Sequence, residues 1–374
     1  MRGLTRRELL QLAFGGVAAT CLVACEQKLE ENVAPTSTLD PSPAAHVTVF
    51  PNTPEPGPSP TIAPGPSVEP TLEYPPFEYD SALTITQIED FYEYTYHPQP
   101  APAIPDFQLR IFGQVRNELS LSMDDIVALP VVEEMRTLEC ISNPVGGTLI
   151  GNAVWRGVSM AHLLEMAGVL SRVVELKFEC ADGYHTSIPV KLAMDPHSFL
   201  AYWMNGIPLP PEHGHPLRAL WPGRYGQKQP KWITGIELIA QPYLGHWERQ
   251  GWSNDATIVP NSRIDRPKKR DMVQLPITIS GIAFANQSGV AKVEVSTDDG
   301  VNWQEAELIR GPSALAWTEW RYAWREAEQG SHVIRARVTD GEGRRQRFGH
   351  GRLLGGIKPD GTDYQHADSR CQRA

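Results

Sequence analysis

A single thiol sits inside a stretch crowded with residues that break regular structure: Arg136-Thr-Leu-Glu-Cys140-Ile-Ser-Asn143-Pro-Val-Gly-Gly147-Thr-Leu-Ile-Gly151-Asn152-Ala-Val-Trp155. Cys140 follows a strand-like run, Val131 to Leu138, and Asn143, Pro144 and the pair Gly146-Gly147 end that regularity. The pattern puts the thiol at the mouth of a loop, where a ligand could reach it. A lone cysteine without such a setting reads as a buried structural residue. Two later stretches carry cations between turn residues: His213-Gly-His-Pro216-Leu-Arg218, and Pro222-Gly223-Arg224-Tyr225-Gly226 through Lys231. Arginine offers a bidentate fork to a phosphate, and lysine a point charge. His213-Gly-His215 lacks a spaced second pair and does not make a zinc site. There is no Ser-His-Asp arrangement, P-loop or glycine-rich dinucleotide fingerprint. Asp298-Asp299-Gly300 is too short for a calcium loop and reads as a hairpin turn.

The elements that must position these residues come in two groups. The 374 residues, 41% hydrophobic, suffice for two domains plus extensions. A net charge of −10 and a pI near 5.6 argue against a nucleic-acid surface. No internal run is apolar enough to span a membrane. A first domain is expected over 80–248. It has a strand from Phe107 to Val115, a helix start capped by Ser122, the strand to Cys140, and a helix from Met160 to Gly168 capped by Ser159. Strands follow at Val173–Cys180, Tyr184–Val190, Ala201–Asn205, Pro216–Trp221 and Lys231–Ala240, with one helical turn near Val190–Met194. Strands and short helices mix without a βαβ rhythm, so the fold class is α+β. A connector spans 249–270. A second domain, 271–357, has short strands, hairpin turns and aromatic residues but no helix, as in an immunoglobulin-like β-sandwich. Trp303, Trp317, Trp320 and Trp324 read as its core.

The ends read as targeting and tether. Thr5-Arg6-Arg7-Glu8-Leu9-Leu10 resembles a twin-arginine motif, and Leu22-Val-Ala-Cys25 a lipoprotein processing site, so 1–25 is expected to be an export signal. The Pro-rich segment 26–79 reads as a disordered tether, because proline removes donors and fixes φ. The tail 358–374 is polar. With Cys21 removed and Cys25 lipidated, three of the five cysteines remain, Cys140, Cys180 and Cys371, and they cannot all pair.

From about Phe91 to Leu354, the chain resembles the sulfite oxidase family of molybdopterin enzymes. The resemblance rests on Leu138-Glu-Cys140 with Gly151-Asn-Ala-Val-Trp155-Arg-Gly157, on Leu209-Pro-Pro-Glu-His213-Gly-His-Pro216-Leu-Arg218, and on Pro222-Gly223-Arg224-Tyr225-Gly226 through Lys231-Trp232-Ile-Thr-Gly-Ile-Glu237. It implies a molybdenum–molybdopterin cofactor with Cys140 as the protein's ligand to the metal, for which a soft thiolate is suited. It implies that His213, Arg218 and Lys231 contact the pterin and its phosphate, that Asp182 contacts the pterin, and that Tyr96 lies against the cofactor. The second domain is similar to the family's dimerisation domain, so a homodimer is expected.

The departures concern the substrate. Tyr94-Thr95-Tyr96 stands where sulfite oxidases carry Arg-Asn-His, and Pro144-Val145 where they carry an arginine after the cysteine. The Cys140–Gly151 loop is shorter and lacks the family's tryptophan. Trp252 stands in place of the active-site tyrosine. Arg136 and Arg224 could compensate if they turn into the pocket. The expected activity is oxygen-atom transfer on a small molecule less charged than sulfite. Rival readings are a sulfoxide-type reductase and a non-catalytic exported binding protein with a lapsed metal site. No Cys-x-x-Cys-His haem motif is present, so a separate electron carrier, such as a cytochrome, is expected as partner. The protein is expected on the extracytoplasmic side, held to the membrane by a lipid at Cys25.

Overall fold

The computed structural model describes residues 44–50, 83–96 and 100–346. The export motif at 1–25, Cys371 and the tail 358–374 lie outside the described residues. Among those described, no helix is long and apolar enough to cross a membrane. The architecture is mostly β. The α-helices are short, Met123–Val127, Met160–Ala167 and Val190–Ala193, so strands outweigh helices more than the α+β reading anticipates.

The first domain is built on two sheets. One runs in the order Arg218–Leu220, Phe199–Met204, Ile150–Ser159, Val131–Glu139, all antiparallel. The other runs Leu119–Leu121, Leu109–Gly113, Ile233–Ile239, Glu175–Cys180, His185–Pro189, with one parallel pair at Leu109–Gly113 and Ile233–Ile239. The helix Met160–Ala167 starts at Ser159, whose side chain accepts from the His162 N–H, and ends at Gly168 in the left-handed region. Its Leu163, Leu164 and Ala167 pack with Leu109, Phe178, Leu200 and Ile236 in one core.

Ile150–Ser159, the central partner of the cysteine strand, is a ten-residue strand absent from the sequence reading. Gly151, Asn152 and Gly157 made it look irregular. At Gly157 a Cβ would sit 2.0 Å from the Leu200 carbonyl oxygen, so glycine there permits the close approach of the neighbouring strand.

The second domain is two packed sheets. Met272–Gln274, Ala44–Phe50, Gly330–Asp340, Val290–Ser296 and Gln304–Glu305 form one. Asn261–Arg266, Ile277–Phe284, Thr318–Trp324 and Glu307–Ile309 form the other. Ile279, Trp320, Trp324, Val293, Ile334 and Val338 fill the space between them. Two expectations are corrected here. Residues 44–50, inside the stretch read as a disordered tether, pair with Gly330–Asp340 and Met272–Gln274. This window, Ala44-Ala-His-Val-Thr-Val-Phe50, carries no proline, and Val47 is buried in the sandwich core. Asn261–Arg266, inside the presumed connector, is a strand on Ile277–Phe284. Trp303 departs from the core reading too. It is half-buried under the Arg337 guanidinium, 3.9 Å from its ring centroid.

The domains share an apolar cluster. Met135, Ile141, Ile150 and Tyr225 of the first pack with Ile258, Ile282, Phe284 and Trp317.

Candidate functional site

The strand Val131–Glu139 delivers Cys140 to the wall of a cleft of about 820 Å³, the solvent at its open mouth included. Cys140, Tyr96, Asp182, His213, Arg218 and Lys231 all line it. Residues from five separate segments thus meet in one place.

Cys140 is buried, and its thiol lies 3.1 Å from the Ser142 hydroxyl. Burial pushes that thiol up from its ordinary pKa. Among the described cysteines, Cys140 and Cys180 are both free thiols, and only Cys140 lines the cleft. Its loop is closed by Asn143, whose side chain accepts from the Leu149 N–H at 3.0 Å and donates to the Glu139 carboxylate at 3.0 Å. Glu139 is almost wholly buried, and that burial raises its pKa to about 7.

His213 ends a 3-10 turn, Pro211–His213, and is held edge-on to the Phe91 ring at 5.5 Å. Arg218 opens the strand Arg218–Leu220, is 4% exposed, stacks over Trp155 at 5.1 Å and donates to the His213 carbonyl at 3.0 Å. Its buried Nε has no hydrogen-bond partner among the described residues. Lys231 donates to the Glu212 carbonyl at 2.7 Å and lies 4.2 Å from the Trp232 ring centroid. Trp232 itself adopts φ 54° and is pinned by its indole N–H to the Pro211 carbonyl at 2.9 Å, a strained corner beside the cleft. Burial first, then Arg218, pushes His213 down to about 4 and Lys231 down to about 7. Burial also lowers Arg218, to about 10. Asp182 accepts from the Tyr184 N–H at 3.0 Å, and its carbonyl accepts from the Tyr96 hydroxyl at 2.9 Å.

This donor set fits an anionic pterin phosphate near a thiol-bound metal. A buried guanidinium N–H without an acceptor costs free energy until an acceptor arrives. Beside it, burial and then the Arg218 charge keep His213 neutral and bring Lys231 down to about 7. Among the residues that line the cleft, Cys140 supplies the one thiol.

The opposite wall is aromatic. Tyr94, Tyr96, Trp247 and Trp252 line it, with Trp247 and Trp252 edge to face at 6.1 Å. Two residues here escaped the sequence reading. A methyl group at Gly226 would sit 3.2 Å from the Tyr92 hydroxyl and 4.0 Å from the Cys140 Cα, so this phenol shares the cysteine's corner. Its pKa is raised, by burial first and then by Cys140. Lys228, wholly buried, pairs with the Glu248 carboxylate at 2.6 Å and donates to Asn254 at 2.9 Å, bracing the segment that carries Trp247 and Trp252. Nothing in the local pattern of a Gln-Lys-Gln turn signals a buried lysine. Arg136 and Arg224 do not line the cleft. Arg136 is tied to Glu134 and the His197 carbonyl, each at 2.5 Å, and Arg224 to Asp255 at 3.2 Å.

Comparison with known proteins gives the same frame. Residues 96–247 match the oxidoreductase molybdopterin binding domain, and residues 254–344 the Mo-co oxidoreductase dimerisation domain. The chain is 30% identical over 303 residues to mitochondrial sulfite oxidase of Rattus norvegicus, covering 69% of this chain and 55% of that protein. It is 34% identical over 146 residues to the oxidoreductase YuiH of Bacillus subtilis (strain 168), covering 39% of this chain and 72% of that one. The chain spans about half the length of the mitochondrial sulfite oxidases of mammals that it matches. The fold is similar to the sulfane dehydrogenase SoxCD from Paracoccus pantotrophus, with a TM-score of 0.61 at 22% identity over 76% of this chain and 88% of that one. Two domain matches in sequence order, one over the cleft-bearing unit and one over the unit packed against it, mean that the chain belongs to the sulfite oxidase family of molybdopterin-dependent oxidoreductases.

Proposed function

We propose that this protein catalyses oxygen-atom transfer on a small substrate less charged and larger than sulfite, using molybdenum–molybdopterin ligated by Cys140. When bound, that group supplies two-electron redox chemistry with water as the oxygen source or product. The chain's residues bind, orient and shield. Arg218, with its unpartnered Nε, and Lys231 hold the phosphate, while His213 and Asp182 meet the pterin and Tyr96 closes over it. Tyr92, kept protonated by burial, offers a neutral donor in the cysteine's corner. Tyr94, Trp247 and Trp252 exclude water from the substrate side.

The observation that carries the substrate reading is the position of the arginines. Arg136 and Arg224 are both engaged away from the cleft. Arg218 and Lys231 are the cations of its wall, and both are committed to the cofactor. Sulfite is a dianion and needs fixed cations beside the metal. Each lost charge-assisted hydrogen bond removes about 1.5–3 kcal/mol, so losing two weakens binding by about two to four orders of magnitude. Steady-state kinetics with sulfite and an artificial electron acceptor test this. The expected result is poor turnover with a Michaelis constant far above micromolar. Rapid turnover at micromolar sulfite returns the chain to the ordinary sulfite oxidases.

The same reading includes electron delivery to a separate carrier, an immunoglobulin-type second domain that joins two copies, and export with a lipid at Cys25. The match to the dimerisation domain supports the second of these. The twin-arginine and Leu22-Val-Ala-Cys25 motifs support the last. Mass spectrometry of the mature amino terminus tests processing before Cys25, and an intact Met1 in the native host sinks it.

A further inference from the structure

The second domain grips the cysteine strand at two points. The Thr137 N–H donates to the Leu315 carbonyl at 2.9 Å, and the Thr137 hydroxyl accepts from the Trp317 N–H at 2.8 Å. Two residues on, the Asn261 amide, at the start of the strand Asn261–Arg266, donates to Glu139 Oε1 at 2.7 Å. That same oxygen accepts from Asn143, whose own carbonyl oxygen holds the Leu149 N–H. The loop base is closed by Cys140 N–H to the Leu149 carbonyl at 3.0 Å. Glu139, Asn143 and Asn261 are all buried. The apolar cluster around Ile258, Phe284 and Trp317 already joins the two domains. A buried polar network adds little to such a join, because apolar residues hold an interface at least as well. What it adds is fixed geometry at one atom: Glu139 Oε1 takes both amide donors, while Glu139 Oε2 and Asn261 Oδ1 are buried without partners among the described residues, so the carboxylate is held through Oε1 alone.

We propose that the second domain positions the Cys140 thiol, with Asn261 as a positioning residue acting through Glu139 and Asn143. This rests on the reading of Cys140 as the molybdenum ligand. The network spans two domains, so the direction of the sulfur is set by how they dock. Removing Asn261 leaves Glu139 Oε1 with one donor, and the carboxylate and Asn143 then shift together. Partners that orient a metal ligand in this way typically change affinity or activity about 10- to 100-fold.

The test uses the full chain, with Asn261→Ala, and with Asn261→Ser as a second variant too short to reach Glu139. Ile258→Ala is the control, since it loosens the apolar interface without touching the network. Three readouts are compared: hydrogen exchange of 140–149 in cofactor-free protein, the thiolate-to-molybdenum absorption band in loaded protein, and steady-state kinetics. The Asn261 variants are expected to exchange at least about 10-fold faster in that loop, to shift the band, and to lose kcat about 10- to 100-fold with little change in KM. Ile258→Ala is expected to lower the melting temperature without moving the band. If Asn261→Ala fails to fold, Asn261→Ser carries the same readouts. Wild-type exchange and an unmoved band at full molybdenum content overturn the proposal. A band that persists in Cys140→Ser overturns the ligand reading beneath it.

Discussion

Burial and the Arg218 guanidinium together push Lys231 down to about 7 and His213 down to about 4, from 10.5 and 6.5. Both folded values are depressed, so the unfolded chain binds the proton more readily. In cofactor-free protein the Lys231 contribution is complete above about 10.5 and declines as pH falls toward 7. The His213 contribution declines between 6.5 and about 4. Thermal melts across pH should show both slopes, with Lys231→Met removing the upper one. An unchanged upper slope in that variant refutes the assignment. A bound phosphate reverses the shift, because it favours the charged lysine. Its binding therefore takes up protons above about pH 7, which calorimetry in buffers of different ionisation enthalpy measures. The two described cysteines should separate as sharply. Cys140→Ala is expected to abolish turnover and leave the fold intact. Cys180→Ala removes a buried thiol at the end of the strand Glu175–Cys180 and should cost only about 0.5–3 kcal/mol of stability. Normal turnover with bound molybdenum in Cys140→Ala defeats the ligand role.

Local chemistry set the helices. Ser122 accepts from the Asp125 N–H at 3.2 Å, and Asp125 returns a bond to the Ser122 N–H at 2.9 Å, a reciprocal cap on Met123–Val127. The Asp125 carboxylate is held below its usual range by the Ser122 hydroxyl, which donates to it at 2.6 Å, and then by the Ser122 N–H. Ser122→Ala should therefore cost about 1 kcal/mol in chemical denaturation, and no change there sinks the capping argument. Strands were harder to read. Val131–Glu139 does not alternate but passes from exposed to fully buried along its length, because its carboxyl end runs into the interdomain core. Its neighbour Ile150–Ser159 is buried on both faces and so carries no alternation at all.

The two domains share a core and should unfold together. Phe284 is 2% exposed and packs among Met135, Ile141 and Trp317 across the domain boundary. Phe284→Ala is expected to cost about 3–5 kcal/mol and to lower the melting of both domains in one transition. Two resolved calorimetric transitions in the wild type would defeat this. The strand 44–50 ties a segment distant in sequence into the second domain, between Met272–Gln274 and Gly330–Asp340.

The sequence by itself determined the caps, the turn residues and the cysteine loop, because each depends on neighbours within a few positions. Ser122, Ser159, Gly168 and the break after Cys140 all stand where local chemistry puts them. The resemblance carried the choice of cleft residues, and the fold gathers them from separate segments. The tertiary structure alone decided the rest. Arg136 turns away from the cleft because the His197 carbonyl, remote in the chain, joins the nearby Glu134 in offering it acceptors. Lys228 is buried because Glu248 arrives opposite it. Residues 44–50 and 261–266 become strands because a sheet partner elsewhere accepts them. A strand is stabilised by backbone bonds to distant residues, and a buried charge by a partner that only folding brings near. Neither is written in the spacing of a single segment.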